Sequence, residues 1–403
     1  MTSLNLSDYL ETFQGQSWLG RAYFESGDFS ESAKCFSDAL NKNPFYMVNQ
    51  DYHSTALNHL QRSEELLYLA ETLKKRKKND AVVWSVMGNF YSIKGKSKEA
   101  MTCFQRAVRL RPNYAYACTL VAHELIDMED WNLAESWFDE AIRINEKQYS
   151  AWYGLGLLSL VRPGKDLFLA LSHFKQAEKI NPYNAMLKCQ IGQILMDQRD
   201  YEKAYETYSL ATNLNPSLSD ARIGRAYSTL RLIRSIKDER QRIQLCKTAL
   251  NDVSRVIRSN SKNIQVHLVK AKLLVLLGRN DDAVKVLTIA LGIIQEAKQE
   301  LEKSEADTEA DDVNEVELDD QDKLEETRSR VNDDEQRLLR TLQTITKSNV
   351  GAALSSDESQ VTIPAKPLLK IAPDSDALLD DFLEDDEYRQ GDYSGDVFYD
   401  DGQ

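Results

Sequence analysis

Between Ala81 and Tyr114 apolar and small side chains recur three and four residues apart, at Trp84, Met87, Gly88 and Tyr91 and again at Ala100, Phe104 and Ala107. That spacing places each set on one face of a helix and predicts two amphipathic helices joined by a short turn. Gly95 lies in the turn, where a residue without a side chain can take positive φ. Pro112 follows the second helix, which it cannot continue. Gly88 and Ala100 are small where the two helices cross closely, and Trp84, Met87, Tyr91 and Phe104 fill the space around that crossing.

These anchors occupy positions 4, 7, 8, 11, 20, 24, 27 and 32 of a 34-residue unit, which is tetratricopeptide spacing. An apolar stripe alone would establish only an amphipathic helix; eight matches at fixed spacing establish a repeat. Most of the chain up to residue 297 varies this unit. Residues 13–46 keep Leu19, Gly20, Tyr23, Phe36, Ala39 and Pro44, with Gln16 and Ser32 where Trp and Ala are usual. Residues 47–80 read as an irregular helical pair without a glycine at position 8. Residues 115–148 carry Ala122, Leu125, Ala134, Phe138 and Ala141. Residues 149–184 carry Trp152, Gly156, Ala170, Phe174 and Pro182, with two extra residues placed at the Arg162-Pro163-Gly164 turn. Residues 185–218 return to standard length. The unit at 219–263 is stretched by about eleven residues through RSIKDERQRIQ, which predicts a longer helix or a protruding loop. The unit at 264–297 ends in IIQEAKQELEK, which has no stop signal, so its second helix is expected to run on.

The fold class predicted is all-α, a tetratricopeptide superhelical solenoid of about eight helix pairs with a disordered acidic C-terminal tail over residues 298–403. Within that tail EADTEADDVNEVELDDQD is too charged to pack. Residues 323–345 place Leu324, Val331, Leu338, Leu339 and Leu342 at near-heptad spacing and predict a helix, either capping the solenoid or solvated. The last stretch, DALLDDFLEDDEYRQGDYSGDVFYDDGQ, reads as a solubilising tail or a docking segment.

Charge sharpens this division. The net charge is −14, but residues 301–403 hold 30 acidic and 10 basic side chains, so residues 1–300 are mildly basic at +6. The basic run Lys74 to Lys78 falls at a predicted helix end, where cations favour the helix dipole, and gives no basic stripe of the kind nucleic acid needs. No apolar run approaches the roughly 18 residues of a membrane span, and MTSLNLSDYLETF lacks the regions of a signal peptide. An intracellular soluble protein is expected, with no nucleic-acid or membrane partner. The five cysteines are scattered, which predicts reduced, buried thiols rather than zinc or disulfides.

Nothing in the residues points to catalysis. There is no Walker loop, G-x-S-x-G or H-E-x-x-H, and the five histidines lack metal-ligand spacing. No catalytic residue, metal or cofactor is expected. Function is expected in the concave groove that the first helices of the repeats line at positions 2, 5, 9 and 12. Asn89 can hold a peptide backbone through both donor and acceptor. Tyr116 and Tyr153 offer amphipathic contact area, and Glu124 beside His123 can take a basic side chain. A chaperone-type carboxylate clamp is argued down, since Ser85, Ser150 and Gly154 stand where its cations or amides would be.

GRAYFESGDFSESAKCF (20–36), DYHSTALNHLQ (51–61), FQRAVRLRPNYAYACTLVAHE (104–124) and AIRINEKQYSAWYGLGLL (141–158) together resemble the tetratricopeptide scaffold subunit of the anaphase-promoting complex, of the cell division cycle protein 27 type. The H-S-T-A-L-x-H-L run lies outside the repeat consensus and makes the likeness more specific than the repeat itself. The resemblance covers residues 13–220 well. It implies a non-catalytic arm of a multi-subunit ubiquitin ligase, in nucleus and cytoplasm, whose partners are the other subunits and the Ile-Arg C-terminal tails of coactivators. Carried over by position, Asn89, His123, Glu124 and Tyr153 would line the tail pocket. Asn58 stands where that family has Trp, and Ala122 where it has Gly. The family's dimerising N-terminal half has no counterpart here, which leaves homodimerisation open. Two rivals remain: another tetratricopeptide adaptor, such as a sister subunit or a trafficking, ciliary or chaperone scaffold, and the repeat half of an enzyme such as a glycosyltransferase.

Overall fold

The computed structural model describes residues 9–310 and 318–347; the expected disorder at 311–317 and 348–403 lies outside the described residues. Among the described residues there are seventeen long helices and no strand. They run as consecutive antiparallel pairs: α1 (Phe13–Ser26) with α2 (Phe29–Lys42), α3 (Gln50–His59) with α4 (Ser63–Arg76), and α5 (Ala81–Ile93) with α6 (Ser97–Leu110). Next come α7 (Ala115–Asp127) with α8 (Trp131–Ile144), α9 (Tyr149–Val161) with α10 (Leu167–Ile180), and α11 (Ala185–Asp197) with α12 (Tyr201–Leu214). The series closes with α13 (Ser219–Leu232) and α14 (Glu239–Ser259), α15 (Ile264–Leu276) and α16 (Asn280–Ala310), and a final α17 (Leu318–Lys347).

Five of the pairs, the first and the third to sixth, are held by one aromatic driven against a small residue. A Cβ on Gly88 would lie 2.3 Å from Cε1 of Phe104, so the ring sits directly against the backbone of α5. The same ring position recurs as Phe36, Phe138, Phe174 and Tyr208, all fully buried. Alanines at the crossing, Ala100, Ala134, Ala170 and Ala204, have no exposed surface. Aspartates start the second helices: Asp28, Asp130 and Asp200 accept from the backbone N–H three residues on.

The insertions resolve into two different structures. The extra residues of the fifth pair form the turn at 162–166, where Gly164 has φ +91° and Arg162 reaches back to Glu135 at 3.1 Å and Asn132 at 3.0 Å. The stretched seventh pair takes the longer helix, since α14 begins at Glu239 and runs 21 residues. It is tied to α13 by Asp252, 2% exposed, which accepts from Arg222 at 2.9 Å and from both Arg225 nitrogens at 2.8 Å. α16 runs on past residue 297 to Ala310. α17 then returns along it, burying Leu338 completely against Ile294, Leu287 and Leu291, with Lys298 paired to Glu335 at 2.5 Å. This helix covers the last face of the solenoid rather than standing in solvent, and it takes in residues 318–322 of the stretch read as too charged to pack.

Candidate peptide-binding groove

The inner helices meet over a polar floor supplied by the irregular second pair. Ser54 and Thr55 of α3, both within the H-S-T-A-L run, accept from Asn89 Nδ2 at 2.9 and 3.1 Å. Thr55 Oγ1 also accepts from the Tyr116 hydroxyl at 2.7 Å, and Asn58 Nδ2 donates to the Asn89 carbonyl at 3.2 Å. One short helix therefore fixes residues from the next two repeats.

Beside this floor lies a cavity of about 860 Å³. Arg21 reaches it from α1, and Asp51, Tyr52, Asp80, Arg111, Tyr114, Tyr116 and Gln148 line it. The Arg21 guanidinium stacks 4.1 Å above the Tyr52 ring, and that of Arg111 lies 4.9 Å from the Tyr114 ring while pairing with Asp80 at 3.3 Å. Asp51 is buried and accepts a hydrogen bond from the Tyr114 hydroxyl. Burial raises the Asp51 carboxyl above the usual carboxylate range. Burial likewise pushes the Tyr52 phenol up to about 12, and burial with the neighbouring Asp51 holds Tyr114 well above its ordinary value, so both phenols keep their protons, and that of Tyr114 is donated to Asp51.

The expected site residues fall into two groups. Asn89 and Tyr116 are brought together through Thr55, and Tyr116 lines the cavity. His123, Glu124 and Tyr153 lie outside the cavity lining. The His123 ring stands edge-on to Phe138 at 5.1 Å, Glu124 is 3% exposed, and Tyr153 is tilted against Phe174 at 5.4 Å. Asn89 is also 3% exposed with its amide nitrogen spent on α3, so its work is to hold the floor together. Arg21, Asp51, Tyr52, Arg111 and Tyr114 were not expected. Tyr114 and Arg111 belong to the turn between repeats, and Asp51 and Tyr52 to the unit without consensus anchors; a search of regular positions 2, 5, 9 and 12 passes over all of them.

A Ser37–His53–Gln50 chain, with contacts of 3.4 and 3.2 Å, has the outline of a nucleophile and base. Burial pushes the His53 imidazole down to about 3, which makes it a weak base and a satisfied core ring. Among the described residues no group of three His, Cys, Asp or Glu side chains is placed to hold a metal ion, and no helix is long and apolar enough to cross a membrane.

Paired helices with an aromatic seated on a small residue at five crossings agree with the family comparison, in which the tetratricopeptide repeat family matches residues 41–214. The fold of this chain is a tetratricopeptide solenoid. Its repeats are similar to anaphase-promoting complex subunit 3 of Schizosaccharomyces pombe, 36% identical over 208 residues, covering 52% of this chain and 31% of that one. They are similar to protein bimA of Emericella nidulans, 36% identical over 171 residues, covering 42% and 21%. They are similar also to cell division cycle protein 27 homolog B of Arabidopsis thaliana, 35% identical over 190 residues, covering 47% and 25%. The resemblance read from residues 20–158 thus leads to the same proteins, and the matches span between 21% and 31% of their lengths. Among solved structures, the tetratricopeptide fold is shared with the crystal structure of the APC/C hetero-tetramer Cut9-Hcn1, at TM-score 0.54 and 16% identity, over 68% of this chain and 52% of that one.

Proposed function

We propose that this chain is a non-catalytic scaffold subunit of an anaphase-promoting complex. In this role it holds other subunits and receives C-terminal Ile-Arg tails of coactivators in its inner groove. The observation that carries the reading is the similarity to three curated relatives from yeast, mould and plant, two of them named for that complex or for the cell division cycle. The groove chemistry supports it. Glu124, 3% exposed, is the carboxylate this reading assigns to the terminal arginine. Tyr116 and Tyr153 supply walls for the isoleucine, His123 stands next to Glu124, and Asn89 positions the floor beneath Tyr116.

Titration of the full chain with a peptide ending in Ile-Arg tests the groove without altering the protein. Replacing the terminal arginine by alanine should weaken binding by about 2 kcal/mol or more, the cost of losing a charged hydrogen-bonded pair. Glu124→Gln, which keeps the side-chain shape, should erase the difference between the two peptides. Equal affinity of both peptides for the unaltered protein removes the tail reading. Affinity purification of the tagged chain from its own cells tests the scaffold reading separately. A RING subunit, a cullin-like subunit and further tetratricopeptide subunits are expected; trafficking or chaperone components alone would transfer the chain to another adaptor class.

A further inference from the structure

The turn between α1 and α2 touches the junction between α10 and α11, although 156 residues separate the bonded pair. The Asn181 side-chain amide donates to the Glu25 carbonyl at 2.8 Å. Gly27, at φ +85°, faces Met186, and a Cβ built there would lie 2.9 Å from Met186 Cγ and 3.6 Å from its Cβ. Asn184, which caps α11 through the Leu187 N–H at 2.9 Å, brings its Oδ1 to 3.6 Å from the same point. Burial raises the Tyr149 phenol at the start of α9, and the nearby Glu25 carboxylate adds to the rise. The first helix pair therefore meets the junction of the fifth and sixth, and residues of α1, α3, α5 and α7, with Arg143 to Gln148 ahead of α9, line the cavity.

We propose that this contact is a clasp that gates the groove, so that a bound chain enters and leaves only after the clasp releases. That the chain is a peptide rests on the function proposed above; the clasp itself rests on the contact. Its construction suits release. It includes one neutral hydrogen bond to a backbone carbonyl and a contact of Gly27 with Asn184 and with Met186, whose unbranched side chain adapts to small displacements. Adjacent repeats, by contrast, are joined along whole helix faces, and a solenoid otherwise ties each repeat only to its neighbours. Small changes of angle between repeats add up at a contact five units away. The clasp is thus the first place where bending shows.

A removable lock tests this in the full-length chain. The 3.6 Å separation between a Cβ at Gly27 and that of Met186 falls within the roughly 3.5–4.5 Å of a disulfide. Gly27→Cys with Met186→Cys should cross-link on mild oxidation, while the native cysteines, all buried, stay reduced. Association and dissociation of a fluorescent peptide ending in Ile-Arg should both be at least about tenfold slower in the oxidised form than in the same protein after reduction. Equal rates in the two forms overturn the gate. Failure to cross-link in a chain of normal helix content overturns the contact. If the reduced protein binds no peptide, the ligand reading falls and hydrogen exchange decides the clasp: slower exchange in α5 and α7 on locking supports it, unchanged exchange overturns it.

Discussion

Asp51 and Tyr114 lie 63 residues apart, on elements two repeats removed, and both are buried where they bond. Tyr114→Phe removes the side-chain donor to the Asp51 carboxyl, leaving only the Tyr52 N–H, and the loss should be roughly 1–3 kcal/mol of unfolding free energy in urea titration. His53 gives a pH dependence. Burial depresses its folded value from 6.5 to about 3, so the unfolded chain takes up the proton first and the folded chain resists it. Its stability contribution is full above about pH 6.5 and falls as pH drops toward 3, a loss of about 2 kcal/mol by pH 5. Asp51 works the other way, since a raised carboxyl sheds its burial penalty as pH falls. His53→Asn should therefore flatten the decline of melting temperature between pH 7 and 5, and an unchanged slope would place the titration elsewhere. Tyr116 was legible in the sequence because a consensus position announces it. Asp51, Tyr52 and Tyr114 were not, because their partners are set by how successive repeats stack, and one-dimensional spacing carries no trace of that.

Helix pairs were legible for a steric reason. A glycine or alanine three to four residues from a large ring can mean little elsewhere, but repeated in register it marks where two helices touch. Gly88→Ala forces a methyl into the Phe104 ring and should cost about 1–3 kcal/mol, measured by thermal melting. Asp252→Ala strands two guanidinium groups, one of them almost wholly buried, between α13 and α14 and should cost about 3–5 kcal/mol. The run-on of α16 was legible from its missing stop signal. The extent of α17 was only half legible, since Val331, Leu338 and Leu342 mark an apolar face without saying what it covers. The structure sets that face on Leu291 and Ile294, which would otherwise be the solvated end of the repeat stack.

Taken whole, the solenoid distributes its stability. Each repeat leans on its neighbours, and a lesion should spread along the chain before it spreads across it. Leu338→Asp should loosen the α15–α16 end first, raising hydrogen exchange there while residues 81–161 stay protected; a uniform rise would mean that the whole unit melts as one. The five thiols offer a finer reading of the same behaviour. All are buried, and burial pushes Cys103 up to about 12 and Cys118 up to about 11, so in the folded chain they are scarcely nucleophilic. They sit in α2, α6, α7, α11 and α14, one to a helix. A brief pulse of alkylating reagent thus leaves a permanent mark only on those segments open at that moment. The molecule carries its own barcode of partial opening, written in carbon–sulfur bonds and readable peptide by peptide.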